Sequence, residues 1–208
     1  MKLRVIGVAV ASALVLTGCT VSVGRAEKPS PAATSATPSA IPSLAPSATP
    51  SWNPPPEPAT PGNQTLNAHG NLPKAIGELG GLFGPDGSTR IVRFEVTAIT
   101  LDFTCTPPAT APPLNGQYVA LDITVWAYPA LGGDFIMGPS QFFGYDAVGT
   151  TVSPIGAPVG CLTAADHLPP LFRAGSVTKG RLVFDMPKGH GSLAFEPSDV
   201  DLGWEWGY

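Results

Sequence analysis

Apolar and polar positions alternate with a period of two through most of the C-terminal two thirds of the chain, and that period belongs to β-strands. The clearest run covers residues 118–128. Val119, Leu121, Ile123, Val125 and Ala127 fall on one face; Tyr118, Asp122, Thr124, Trp126 and Tyr128 fall on the other. Residues 91–105 alternate too, with a break. Val92, Phe94, Val96 and Ala98 are apolar on even positions, then Ile99, Leu101, Phe103 and Cys105 on odd ones. Side chains alternate strictly between faces, so one extra residue must be absorbed near 97–99, by a β-bulge or by a strand that switches sheets. A weaker strand at 142–145 leads through Asp146-Ala147-Val148-Gly149, a hairpin turn, into 150–153. Leu182, Phe184 and Met186 alternate with Arg181, Val183 and Asp185 until Pro187 stops the ladder and Lys188-Gly189 turns. Leu193 and Phe195 start another strand, and Leu202, Trp204, Trp206 and Tyr208 share one face of the last. No window sustains an apolar spacing of 3.6 residues. The pattern predicts an all-β domain over residues 64–208, with about seven or eight short antiparallel strands in a two-sheet sandwich.

Ahead of this domain the pattern changes twice. Residues 5–16 form a nearly unbroken apolar run behind Lys2 and Arg4. A basic flank, a short apolar segment and small residues before a cut site describe an export signal, and the run is shorter than the roughly 20 residues a membrane span needs. It ends in Leu16-Thr17-Gly18-Cys19, which resembles the bacterial lipobox. That resemblance implies removal of a signal at residues 1–18, acylation of Cys19 and anchoring of the mature chain to a membrane. The competing reading is an ordinary secretory signal with a chance cysteine. Residues 29–62 are almost entirely Pro, Ser, Thr and Ala, with Glu57 the single charge and a four-residue beat from Pro38-Ser39 to Pro50-Ser51. So much proline cannot build ladders, and small polar residues supply no core. Residues 19–63 therefore read as a disordered, polyproline-like tether, of which residues 29–62 would reach roughly 100 Å if fully extended. Its Ser/Thr density suits O-glycosylation. A ligand for proline-reading domains is the rival, but a four-residue beat drifts around a three-residue helix.

Charge and cysteine narrow the classes. The net charge of -4 comes with no basic stripe or polybasic cluster, which sets nucleic-acid binding aside. Three cysteines are an odd count. With Cys19 acylated, Cys105 and Cys161 remain as a pair in an oxidising compartment, where a disulfide is expected. Two buried free thiols are the alternative.

Residues 116–125 (Gly-Gln-Tyr-Val-Ala-Leu-Asp-Ile-Thr-Val), residues 142–149, and Gly175 followed by residues 180–187 resemble the telokin-like family. That family consists of exported and lipid-anchored bacterial proteins, the secreted mycobacterial immunoprotective antigens among them. Lys74-Ala75-Ile76-Gly77 matches its usual entry to the first long strand. The resemblance implies an immunoglobulin-like sandwich outside the cytoplasm and transfers no functional residue.

Candidate chemistry is thin. There is no Gly-x-Ser-x-Gly elbow, phosphate-cradling glycine loop or His-Glu-x-x-His. His69 sits at a frayed domain entry and His190 in a turn between glycines. Asp166 and His167 are sequence neighbours, which on a strand point to opposite faces. A catalytic or metal role for Asp166, His167 and His190 is weighed against plain surface roles, as is calcium binding at Asp199 and Asp201. The aromatic residues are a better lead. Trp204 and Trp206, with Trp126 on a neighbouring strand, form either a binding platform for a glycan or an apolar partner, or the last core-facing row of the sandwich. The reading is a cell-envelope lipoprotein presenting a non-catalytic binding or interaction domain. Its expected partners are the membrane, through Cys19, and a cell-wall glycan or an envelope protein. No cofactor, metal or enzymatic activity is expected. The alternative is an accessory subunit of an envelope or transporter complex, with an extracytoplasmic enzyme behind it.

Overall fold

A computed structural model describes residues 52–55, 64–106, 111–153, 155–156, 159–198 and 200–208. Eleven strands follow one another in these residues. They are β1 (Asn71–Pro73), β2 (Leu79–Phe83), β3 (Arg90–Thr100), β4 (Gly116–Ala127), β5 (Phe135–Ile136), β6 (Phe142–Asp146), β7 (Thr151–Val152), β8 (Leu171–Phe172), β9 (Ser176–Pro187), β10 (Gly191–Phe195) and β11 (Gly203–Gly207). One 3-10 turn, Pro139–Gln141, precedes β6. The strand count exceeds the seven or eight expected because β1, β5, β7 and β8 have only two or three residues each, too few for a periodic signal.

Two sheets face each other. One runs β2-β3-β4-β9, the other β1-β11-β10-β6-β7, and β5-β8 is a small ribbon. The second sheet is immunoglobulin-like in layout, with β11, β10 and β6 side by side as G, F and C are. The first sheet pairs β3 with its immediate successor β4. All pairings within the two sheets are antiparallel except β1 with β11, which is parallel. A parallel edge needs a partner far away in sequence, so alternation alone gave no sign of it.

β4 is the centre of the first sheet, and it pairs with β9 over its full length, from Gly116 opposite Pro187 to Ala127 opposite Ser176. Apolar residues occupy its alternate positions, and Val119, Leu121, Ile123, Val125 and Ala127 are all buried against the opposite sheet. The phase break in β3 is a bulge: Val96 pairs with Ile123 and Ala98 with Asp122, so Thr97 is the extra residue. Its hydroxyl donates to the Asp122 carbonyl oxygen at 3.2 Å. After the bulge, Ile99 returns to the core opposite Leu121. The alternation beyond it is not strand. The chain turns at Leu101 and Asp102, the latter with φ +47, and brings Phe103 and Cys105 back over the outer face of the same sheet.

That outer face carries a second small core. Tyr118, Ala120 and Val183 are covered by Cys105, Cys161, Phe103 and Leu162. The sulfurs of Cys105 and Cys161 are bonded at 2.01 Å, joining the loop after β3 to the loop before β8.

The main core is aromatic. Phe94 meets Phe195, Trp204 and Trp206 with ring centroids 5.4, 4.9 and 6.2 Å away, mostly edge to face. Opposite Phe94 on the edge strand stands Gly80, where a β-carbon would lie within 2.6 Å of the Phe94 ring atom Cζ. The bare backbone of Gly80 is what admits the ring.

Candidate functional site

The outer face of the five-stranded sheet holds a buried polar network that no sequence pattern announced. At its centre is Glu205, in the middle of β11 and 8% exposed. Its neighbours Trp204 and Trp206 point into the core, so strand alternation turns Glu205 outward. Four side chains then close over it. The Asn67 amide donates to Oε2 at 2.8 Å, the Asn71 amide to Oε2 at 3.2 Å and the Ser192 hydroxyl to Oε1 at 2.6 Å. His69 Nδ1 lies 2.9 Å from Oε2 and 3.1 Å from Oε1. Burial pulls the Glu205 carboxyl toward the neutral form, but the hydrogen bonds from Ser192, Asn67, His69 and Asn71 outweigh it and hold the carboxyl below its ordinary value of 4.5.

Asn67 organises the approach to this network. Its side-chain oxygen accepts from the backbone N–H of both His69 and Asn71, at 3.0 and 2.9 Å, shaping the turn that feeds β1. The His69 ring then lies flat on Tyr145 of β6, with centroids 3.7 Å apart and planes within 4°. The frayed entry expected at His69 is therefore corrected: a stack and a carboxylate hold the imidazole. A second carboxylate, Glu196, accepts through Oε1 from the Asn71 amide at 2.9 Å and the Tyr145 hydroxyl at 3.2 Å. Burial, and then the adjacent Glu196 charge, push the Tyr145 phenol up to about 12.

A cleft of about 530 Å³ opens above these groups. His69, Asn71 and Glu196 form part of its lining, together with Gln141, Phe143 and Asp201. The arrangement can bind through hydrogen bonds and one aromatic ring. Among the described residues, no group of three or more His, Cys, Asp or Glu side chains is placed to hold a metal ion.

Replacing Glu205 by Gln sets an amide NH₂ among groups that already donate. At neutral pH the expected loss is about 1–3 kcal/mol of stability. Because folding lowers the Glu205 pKa, the wild-type contribution is complete above pH 4.5. It declines as the pH falls through the folded-state value. Denaturant unfolding at pH 7 and pH 3 reads this directly: the gap between wild type and Glu205→Gln should narrow at the lower pH.

The residues singled out from sequence fare differently. Trp204 and Trp206 are 2% and 1% exposed, so the platform reading is corrected for both: they are core-facing, as the competing reading had it. Trp126 is not on a strand next to β11. It lies in the opposite sheet, half-buried on the outer face, in register with Arg93 and Val177. Near it the Tyr128 ring meets Trp52, centroids 5.0 Å apart, so a residue of the expected tether touches the domain. Asp166 bonds Thr163, His167 bonds the Leu168 carbonyl, and His190 lies 3.3 Å from the Tyr208 carbonyl oxygen. These three have separate local partners. Cys19 and Asp199 fall outside the described residues.

On the outer face of the other sheet, Arg181 donates twice to Asp122, at 2.7 and 2.9 Å, and its guanidinium lies 5.2 Å from the Phe103 ring centre. This fork is about one third exposed; it ties β4 to β9 and lines an open cleft of about 450 Å³.

No family model matches the chain, so the telokin-like resemblance gains no support there, and no curated protein matches it. Among solved structures, a candidate lipoprotein of Bacillus subtilis, ycdA, overlaps with a TM-score of 0.41 at 14% identity, over 57% of this chain and 36% of that one. The chain thus spans about a third of that protein's length. An overlap this loose carries no argument about function.

Proposed function

We propose that this chain is a lipid-anchored lipoprotein of the bacterial cell envelope whose β-sandwich is a non-catalytic binding module. The observation that carries the binding role is the cleft over Glu205. It is concave and lined by polar side chains, and its floor is fixed by at least six hydrogen bonds spread over four strands. The anchoring half rests on Leu16-Thr17-Gly18-Cys19 behind an export-type apolar run, followed by the proline-rich stretch. The telokin-like resemblance of segments 116–125, 142–149 and 180–187, which fall in β4, in β6 with the turn after it, and in β9, belongs to the same reading. No enzymatic role is proposed: the serine hydroxyl that meets a carboxylate here, Ser192 on Glu205, lies beneath the cleft and is not among its lining residues.

Cell fractionation tests the anchor. Wild-type protein should sediment with membranes and label with a palmitate analogue, whereas Cys19→Ser should lose the label and leave the membrane fraction. Equal partitioning of the two would overturn the lipoprotein assignment. A defined turnover abolished by changing one polar residue would overturn the non-catalytic one.

A further inference from the structure

This inference rests on the binding-module reading and names the ligand class of the same cleft. We propose that the cleft takes a short neutral saccharide.

Phe143 supplies the first observation. It sits on the outer face of β6, opposite Ala194, and is 42% exposed, while its neighbour Phe142 is buried in the core. A flat ring at the wall of a polar cleft suits the C–H face of a pyranose, which packs on aromatic carbon at little entropic cost. The second observation is the supply of uncommitted polar groups around that ring. The amide nitrogen of Gln141, the hydroxyl of Ser198, the Oε2 oxygen of Glu196 and the carboxylate of Asp201 have no hydrogen-bond partner among the described residues. Sugar hydroxyls both donate and accept, so paired carboxylate acceptors and amide or hydroxyl donors match a vicinal diol. Phe143 is the one aromatic carbon ring of the lining, beside the smaller apolar Pro197, Val200 and Leu202, and so open a cleft lacks the enclosed apolar pocket that a peptide's anchors fill.

Charge sets the neutral preference. Glu196 and Asp201 line the cleft and Glu205 lies beneath it, without a lysine or arginine among the lining residues. A phosphate- or carboxylate-bearing polymer would meet like charge. The floor is also preorganised. Glu196 is already fixed through Oε1 by Asn71 and Tyr145, so its free oxygen loses little freedom when a hydroxyl binds.

Isothermal titration calorimetry on the full lipoprotein in detergent, against tetra-N-acetylchitotetraose, cellotetraose and mannotriose, tests the assignment. At least one neutral probe should bind. Phe143→Ala should weaken it about three- to tenfold and Phe143→Trp should retain it, with only a small drop in the thermal midpoint for the alanine variant because the ring is already 42% exposed. Binding by none of the probes, or binding indifferent to Phe143→Ala, overturns the saccharide assignment. A photo-crosslinker at position 143 in intact cells separates this failure from failure of the broader reading. Adducts to wall polymer support both. A single protein adduct keeps the binding module and removes the saccharide. No adduct of either kind removes both.

Discussion

A Cys105→Ser, Cys161→Ser double variant is expected to lose about 4 kcal/mol of stability, the chain-entropy value for cutting a cross-link across 56 residues. The structure adds where that loss is felt first. The bridge pins two loops over Tyr118, Ala120 and Val183, and this small cluster is separate from the core between the sheets. Two backbone hydrogen bonds, Phe103 N–H to the Tyr118 carbonyl at 2.8 Å and Thr106 N–H to the Cys161 carbonyl at 2.9 Å, hold the loops without it. Hydrogen exchange should therefore show a graded result. Amides at 103 and 106 lose protection strongly, while those of β4 and β9 fall only by the global loss. Uniform loss of protection across both sheets would show that the two clusters unfold as one.

Phe94→Ala should be of similar severity, about 3–5 kcal/mol, lowering the thermal midpoint by on the order of 10 °C. Phe94 is fully buried, and three aromatic rings from the opposite sheet close on it. Loss of the ring leaves a void that Trp204 and Trp206 are too rigid to fill. Gly80 supplies an internal control. In the wild type Gly80→Ala drives a methyl into the Phe94 ring and is costly; in the Phe94→Ala background the same methyl enters the void. The two changes together should cost clearly less than their sum. Simple additivity in urea unfolding would mean the ring relaxes away from Gly80 instead.

How much of this was legible in sequence depended on range. β4 and β9 could be read residue by residue, because each is a long strand with one buried face, and burial writes itself into the sequence as alternation. The bulge at Thr97 was legible for the same reason: a phase slip is visible wherever the phase is. The alternation carried the reading too far beyond Thr100: Leu101 is exposed in the turn, and Phe103 and Cys105 cover the outside of their own sheet rather than extend its strand. Apolar spacing records that a side chain is covered, not what covers it. The candidate site was nearly illegible. Asn67, His69, Asn71, Glu196 and Glu205 are brought together by the parallel pairing of β1 with β11, and 136 residues separate His69 from its carboxylate. One sign was available: Glu205 sits between two tryptophans on a strand whose other face is core, and a carboxylate in such a setting needs partners.

The contact between Trp52 and Tyr128 has a mechanical consequence. Under the lipid-anchored reading, any tug between membrane and cleft travels along the tether and meets Trp52 before it meets β1. The load thus enters first through the ring-on-ring contact just past the end of β4, three residues ahead of the buried Pro55. Only when that contact yields does force reach the Asn67–Glu205 clasp on the other sheet. The 14 residues between these two contacts have a contour length of about 45 Å, which bounds how far they can separate. A domain gripping a stiff polymer would then be spared sudden tension on its edge strand, because a weak, re-formable aromatic latch gives way ahead of the fold.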